Sequence, residues 1–463
     1  MESKEKALAI DLTEGNLTSR MIRFAVPFVL ANLLQIVYNL VDTVIVGQFV
    51  GAAGISGVSM AGQITTMATA LTMGLVTGAQ IMIAQYRGAR ETEDLNYTIG
   101  TMTVYGGGVA LLMAILGIAT STWGLELIHT PEEAMGQAQA YEIIVFIGLV
   151  FNCGYMTVSA VLRGMGDSKR PFIFVAIASV CNVILDLLFV GVFKMEAAGA
   201  AWATIISHFL SFVFAVHYIY KNRAGFGIDF KAKYFRIRWD LCKTITKLGV
   251  PMALQWIIFS LSMLYIQSMV NVYGLVASAA VAIGSKASQV TGTITGAMSN
   301  ACSTTVGQNI AARRIDRVKK AVSVGLIVNV AWMCLCILLL QLFPGPFVRL
   351  FNSEPEVVEV GISYLRIVSW GFLAHAFYMI FNGFILGVGN SVLNMVNSLL
   401  EGVVFKITFA ILFANVLGMG LTGIFLGNAL APVGACIPGA VYYLSGMWKN
   451  RKLVAQRSTE AVE

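Results

Sequence analysis

MIRFAVPFVLANLLQIVYNLVDTVIVGQFV, residues 21–50, holds one charged residue, Asp42, between Phe24 and Val50. Crossing a bilayer takes about 20 mostly apolar residues as a helix, because a helix satisfies every backbone polar group away from water. The stretch therefore reads as a membrane span, and a span gives a carboxylate no ordinary reason to be there.

The rest of the chain agrees with that reading. Of 463 residues, 57% are hydrophobic and 12% charged, whereas a soluble domain carries about a quarter charged residues. Long apolar runs recur, predicting twelve transmembrane helices near 22–46, 56–83, 98–121, 139–161, 171–191, 198–220, 248–272, 279–305, 322–343, 362–387, 392–414 and 421–446. The expected class is an all-α integral membrane protein. A polar N-terminus followed by a full-length span predicts a short tail rather than a cleaved leader.

Charge sets the orientation. With the N-terminus inside the cell, the cytoplasmic side collects 26 of the 31 Lys and Arg, and the opposite side holds only Lys194 and Arg349. Lys286, Arg366 and Lys406 fall within spans. This bias follows the positive-inside rule and puts both termini in the cytoplasm. The net charge of +7 is then a topology signal, and no folded basic module for nucleic acid is present. The cluster Lys221, Arg223, Lys231, Lys233, Arg236 and Arg238 is expected to hold a linker against anionic headgroups.

An internal duplication organises the chain. A shift of 223 residues superposes Gly51 on Gly274, Gln85 on Gln308, Arg90 on Arg313, Tyr141 on Tyr364, Gly164 on Gly387, Gly166 on Gly389 and Ser168 on Ser391. A shift of 224 superposes Pro27 on Pro251, Pro131 on Pro355 and Gly199 on Gly423. We therefore expect a cytoplasmic tail (1–20), a six-helix bundle (21–220), a basic linker (221–247), a second bundle (248–446) and a tail (447–463). Six is even, so both bundles run the same way, related by a pseudo-two-fold along the membrane normal as in parallel-repeat secondary transporters.

The chemistry is less symmetric than the scaffold. Under the shift, Asp42 meets Tyr265 or Ile266, and Asp186 meets Phe409 or Ala410. At about 1.5 Å per residue, Asp42, Asp186 and Thr204 all lie in the outer half of the membrane. Asn182 and Asp186 share a helical face, while Gln35, Tyr38 and Asn39 stack with Asp42. Paired buried acids need a neutralising partner: a proton, a metal cation or a cationic ligand. Asp42, Asn182, Asp186 and Thr204 would supply oxygens if Na+ were that partner.

Other features carry less. Seven cysteines show no ligand spacing and read as small apolar packing. The four histidines, His129, His208, His217 and His375, have no metal spacing, and no nucleophile elbow or P-loop appears, so an enzyme is not expected. Pro27 lacks the donor that would complete its turn and is a candidate hinge in span 1. Tyr141, Tyr155 and His208, with Gln35, Tyr38 and Asn39, offer aromatic and polar handles for a ligand. Glu401 lies about a turn and a half below Lys406, a spacing that suits salt bridging or snorkelling.

PFVLANLLQIVYNLVDTVIVGQFVG (27–51), LRGMGDSKRP (162–171), NVILD (182–186) and the duplication together resemble the multidrug and toxic compound extrusion (MATE) family over Met21 to Trp448. The resemblance implies a cation-coupled antiporter, driven by H+ or Na+ with no other cofactor, that expels amphipathic, often cationic drugs by alternating access. It implies a monomer in a prokaryotic inner membrane, with lipid and small molecules as its partners. The family's helix 1 acid matches Asp42, its helix 5 Asn and Asp match Asn182 and Asp186, and its helix 6 Thr matches Thr204, a coupling site in the first bundle. The second bundle lacks an acidic pair; only Glu401 is a candidate there. The alternative is a flippase of a related superfamily for lipid-linked oligosaccharides or other anionic lipids, with Lys286, Arg366 and Lys406 attracting the substrate.

Overall fold

The computed structural model describes residues 9–451 and residue 453. Residues 1–8 of the expected N-terminal tail, and 452 and 454–463 of the C-terminal one, lie outside that description. Twelve long helices follow one another, and no strand occurs among the described residues. They are α1 (Leu17–Phe49), α2 (Ala52–Ala89), α3 (Thr92–Leu127), α4 (Glu132–Met165), α5 (Lys169–Val192), α6 (Glu196–Lys221), α7 (Trp239–Asn271), α8 (Leu275–Ala311), α9 (Ile315–Leu342), α10 (Pro355–Gly387), α11 (Ser391–Val416) and α12 (Gly420–Ser445). All but α8 are long and apolar enough to cross a membrane by composition alone. α8 is diluted by Ser, Thr, Gln and Asn and still runs 37 residues.

The repeat is written into the backbone. Gly51 and Gly274, Gly166 and Gly389, and even the non-glycine pair Arg90 and Arg313 all take positive φ, at 82° and 93°, 98° and 82°, and 62° and 57°. Side chains avoid that region, so residues matched at the 223-residue offset share the same turn geometry at a helix boundary. Helix crossings repeat too. A Cβ on Gly164 would press on Gln80 O and Ile83, and one on Gly387 on Ser303 O and Val306. α4 packs on α2, α3, α5 and α6, and α10 correspondingly on α8, α9 and α12.

Two compact units emerge. One comprises Val26–Ala253 with the segment ending at Asp11, the other Leu12–Ala25 with Leu254–Leu453. The boundary therefore falls inside α1 beside Pro27 and inside α7 beside Pro251, rather than in the linker. The start of α7 fills the core of the first unit, where Leu241, Ile245 and Leu248 join Leu75, Met82, Tyr86 and Ile99. Gly74, Gly78 and Gly249 let the backbones of α2 and α7 approach closely. In the second unit, residues before α1 are held by a carbonyl cradle. Arg317 donates to Leu12 O, Glu14 O and Gly15 O at 3.0, 2.9 and 2.9 Å, and Asn309 to Leu12 O at 3.0 Å.

The basic linker differs from expectation. Phe226, Ile228 and Tyr234 are buried among first-unit side chains, because aromatic and aliphatic residues interleave the cations. Asn96 bonds Gly227 O and Asp229 N, and Thr101 bonds Arg236 O. Arg238 pairs with Asp94 at 3.2 Å and with Asp240 at 2.5 Å, Lys231 with Asp229, and Lys233 with Glu93. Much of the cluster's charge is thus compensated within the protein, and the segment is part of the first unit.

Candidate functional site

The first unit brings the predicted acids together. Asp42 sits seven residues before the end of α1, and Asp186 is the last residue of the regular α-helical part of α5. Their carboxyls lie side by side, within electrostatic reach of each other. Asp186 is fully buried, Asn182 is 1% exposed, and Asp42 and Thr204 are half-buried. With its amide turned to satisfy both ends, Asn182 donates to Asp186 Oδ2 at 2.6 Å and accepts from the Thr204 backbone N–H at 3.1 Å. Tyr38 lies within reach of Thr204, and Tyr141 within electrostatic reach of both carboxyls. An apolar cluster of Ile45, Val46, Val190 and Ala200, with Val41 and Val183 against it, flanks the pair.

Two carboxylates cannot hydrogen-bond one another, since each offers only acceptors. Two acids placed this close need a shared proton or a cation between them. Asp42 Oδ1 and Asp186 Oδ1 are buried with no hydrogen-bond partner among the described residues. Loss of the proton leaves two anions in a poorly solvated pocket, which is favourable only if water or a cation enters.

Directly after Asp186 the helix widens into a π turn, Leu187–Val192. Such turns often mark functional sites. The same widening recurs at Leu412–Val416, where no acid stands, so it belongs to the repeated fold.

The other sequence-predicted residues are scattered. Gln35 and Asn39 are exposed on α1. His208 lies one turn beyond Thr204 and meets Asn152 at 3.4 Å. Tyr155 lies away from the acids: it is buried in the core beside Arg163 and bonds Pro171 O at 3.5 Å. Pro27 is inside α1 as expected.

Sequence reasoning passed over Glu142. It is fully buried in α4, and neither carboxyl oxygen has a hydrogen-bond partner among the described residues. The first bundle therefore carries three intramembrane acids. The missed signal was an acid ten residues into a helix that begins at Glu132.

In the second unit Glu401 and Lys406 form a buried ion pair at 3.1 Å, with the ammonium 5.4 Å from the centre of the Phe259 ring. A second π turn, Leu400–Phe405, brings residues five apart onto one side, which an α-helical projection does not. Lys286 and Arg366 are exposed.

The loop that starts α5 has its own acid. Asp167 Oδ1 accepts from the backbone N–H groups of Lys169 and Arg170 at 3.0 and 3.1 Å. Burial nonetheless pushes this carboxyl up to about 6, against the lowering pull of Arg170 and Lys169. The folded protein thus holds the proton more tightly than the unfolded chain, so this contribution to stability is fullest below about pH 4 and is lost as pH rises towards 6. Asp167→Asn should accordingly gain on wild type between pH 4 and pH 7, by up to about 3 kcal/mol. Thermal melts of both proteins across that range check it; a constant gap would contradict it.

One family model, MatE, matches the chain twice, at residues 27–188 and 251–412. The chain belongs to the MatE family. The two MatE matches stand 224 residues apart, the offset carried by the proline pairs. A probable multidrug resistance protein of Bacillus subtilis, YpnP, is 29% identical over 97% of this chain and all of its own length. An outward-facing multidrug resistance MATE family transporter of the MOP superfamily superposes with a TM-score of 0.88 at 20% identity, covering 96% of this chain and 98% of that one. A MOP superfamily transporter from Pyrococcus furiosus, described as having a binding pocket of reversed polarity that suggests a different function, gives 0.87 at 21% identity, covering 97% and 100%. These likenesses establish the twelve-helix, two-bundle MatE fold of a membrane transport protein.

Proposed function

We propose that this chain is a proton-coupled antiporter that exports amphipathic, cationic toxic compounds by alternating access, working as a monomer in a prokaryotic inner membrane with both termini in the cytoplasm. The burial of the Asp42 and Asp186 carboxyls side by side supports the reading, because two like charges there need a neutralising partner and a proton meets that need without further ligands. Asn182, itself held by the Thr204 backbone N–H, holds Asp186, Tyr38 and Tyr141 close the polar shell, and proton release would leave an anionic pocket suited to a cationic drug. The multidrug names of its relatives supply the substrate class.

Sodium is the competing ion. Asp42, Asn182, Asp186 and Thr204 could ligate it through oxygen, in the place that a shared proton would take. In reconstituted vesicles, ethidium movement should follow an imposed pH gradient and not an imposed Na+ gradient; the reverse would overturn the proton assignment. The anionic-lipid alternative is weakened by the Glu401–Lys406 pair, which neutralises one of its three cations.

Pro27 would let α1 change shape as Asp42 gains or loses its proton. Pro27→Ala restores a backbone donor and should cut efflux several-fold with normal amounts of folded protein in the membrane. Unchanged efflux would rule the hinge out.

A further inference from the structure

We propose that Glu142 is a second proton-binding carboxyl of the first unit, separate from the Asp42–Asp186 pair and loaded in the conformation described here. The inference rests on the proton as coupling ion. It begins from a buried acid that the mechanism above does not use.

Glu142 follows Tyr141, which faces the acid pair. One residue further along α4 is a rotation of about 100°, so at the same depth Glu142 turns to another side. One turn towards the start of α4, Ala138 packs with Ala61 and Leu125. One turn the other way, Phe146 packs with Ala114 and Leu149, and Ile64 of α2 lies against both clusters. The layers are tight. A Cβ on Gly57 would come within 2.9 Å of Ala138 N, and one on Gly117 would collide with the Phe146 ring.

No hydrogen-bonding side chain meets the carboxyl among the described residues. α2 has no ionisable residue from Ala52 to Gln85, and α3 has none from Gly106 to Leu125 before the exposed Glu126. On α6, Glu196 is engaged by Gln137 and His208 by Asn152. On α5, Asp186 is engaged by Asn182. On α4 itself Glu132 and Glu133 are exposed. An ionised carboxylate here would be unpaired in an apolar layer, whereas the protonated acid avoids most of that cost. A leucine would pack better than either form, so the acid is useful only if separation of α2, α3 and α4 lets it exchange its proton.

The steady ethidium ratio held by vesicles at a fixed pH gradient, extrapolated to zero passive leak, reads the number of protons per drug. At a one-unit gradient with the membrane potential clamped, each coupled proton is worth about tenfold in that ratio. Glu142→Gln should lower the ratio about tenfold while leaving a response to the gradient, and Glu142→Leu should match it. Equal ratios for wild type and variant would overturn the proposal; a wild type blind to the pH gradient would instead sink the proton reading itself. Infrared spectroscopy of Asp42→Asn/Asp186→Asn protein gives a second measurement that does not depend on Glu142 variants folding. The carbonyl stretch of a protonated carboxylic acid should persist there at neutral pH, and its absence would also overturn the assignment.

Discussion

Asp42→Asn protein is expected to reach the membrane in normal amounts yet drive ethidium export from vesicles at least about tenfold more slowly under a pH gradient. Asparagine keeps the volume and one acceptor oxygen, so helix packing around Ile45 and Val46 is preserved. What disappears is a carboxyl able to share a proton with Asp186. Asp186→Asn should behave alike, since Asn182 can still hydrogen-bond the new amide. The double variant should be no worse than either single one, because two groups that act as a unit through one shared proton are not additive. Efflux measured for the three variants side by side decides this. Full activity in Asp42→Asn, or losses that simply multiply, would mean that the acids are paired for structural reasons.

The second large effect concerns folding. Gly74→Leu should abolish most folded protein, because a side chain there would run into Gly249 O and Ala253 N, both backbone atoms that cannot rotate away. Forcing α2 and α7 apart also opens the core around Leu75, Ile245 and Leu248. Overpacking at a backbone crossing costs about 3 kcal/mol or more. Size-exclusion profiles of detergent extracts check this, with Gly62→Leu as control, since a Cβ at Gly62 meets open space. Equal profiles would show that the α2–α7 crossing tolerates separation.

Much of this was legible from residue order. Twelve apolar runs became twelve helices, and the 223-residue offset reappeared as paired left-handed turns at Gly51 and Gly274, Gly166 and Gly389, and Arg90 and Arg313. Asp42, Asn182, Asp186 and Thr204 converge because helical spacing and depth are local quantities. Glu142 stayed hidden because an acid near the predicted edge of a span, at residue 139, looks like a helix end until α4 proves to begin at Glu132. The Glu401–Lys406 salt bridge was expected from their spacing and is formed, whereas the π turn that brings them to one side has no sequence signature. The linker read as a surface anchor because its cations were easier to see than Phe226, Ile228 and Tyr234 among them.

The start of α7 completes the first unit and the start of α1 belongs with the second, so each repeat lends the other a half-helix. A polypeptide ending at Lys221 would contain six helices and still lack Leu241, Ile245 and Leu248 from its core. An ancestral single repeat, before duplication, would have had to borrow that segment from another copy of itself, and reciprocal exchange of this kind is the geometry of a homodimer. Fusion of two such copies would have turned an intermolecular loan into a permanent one.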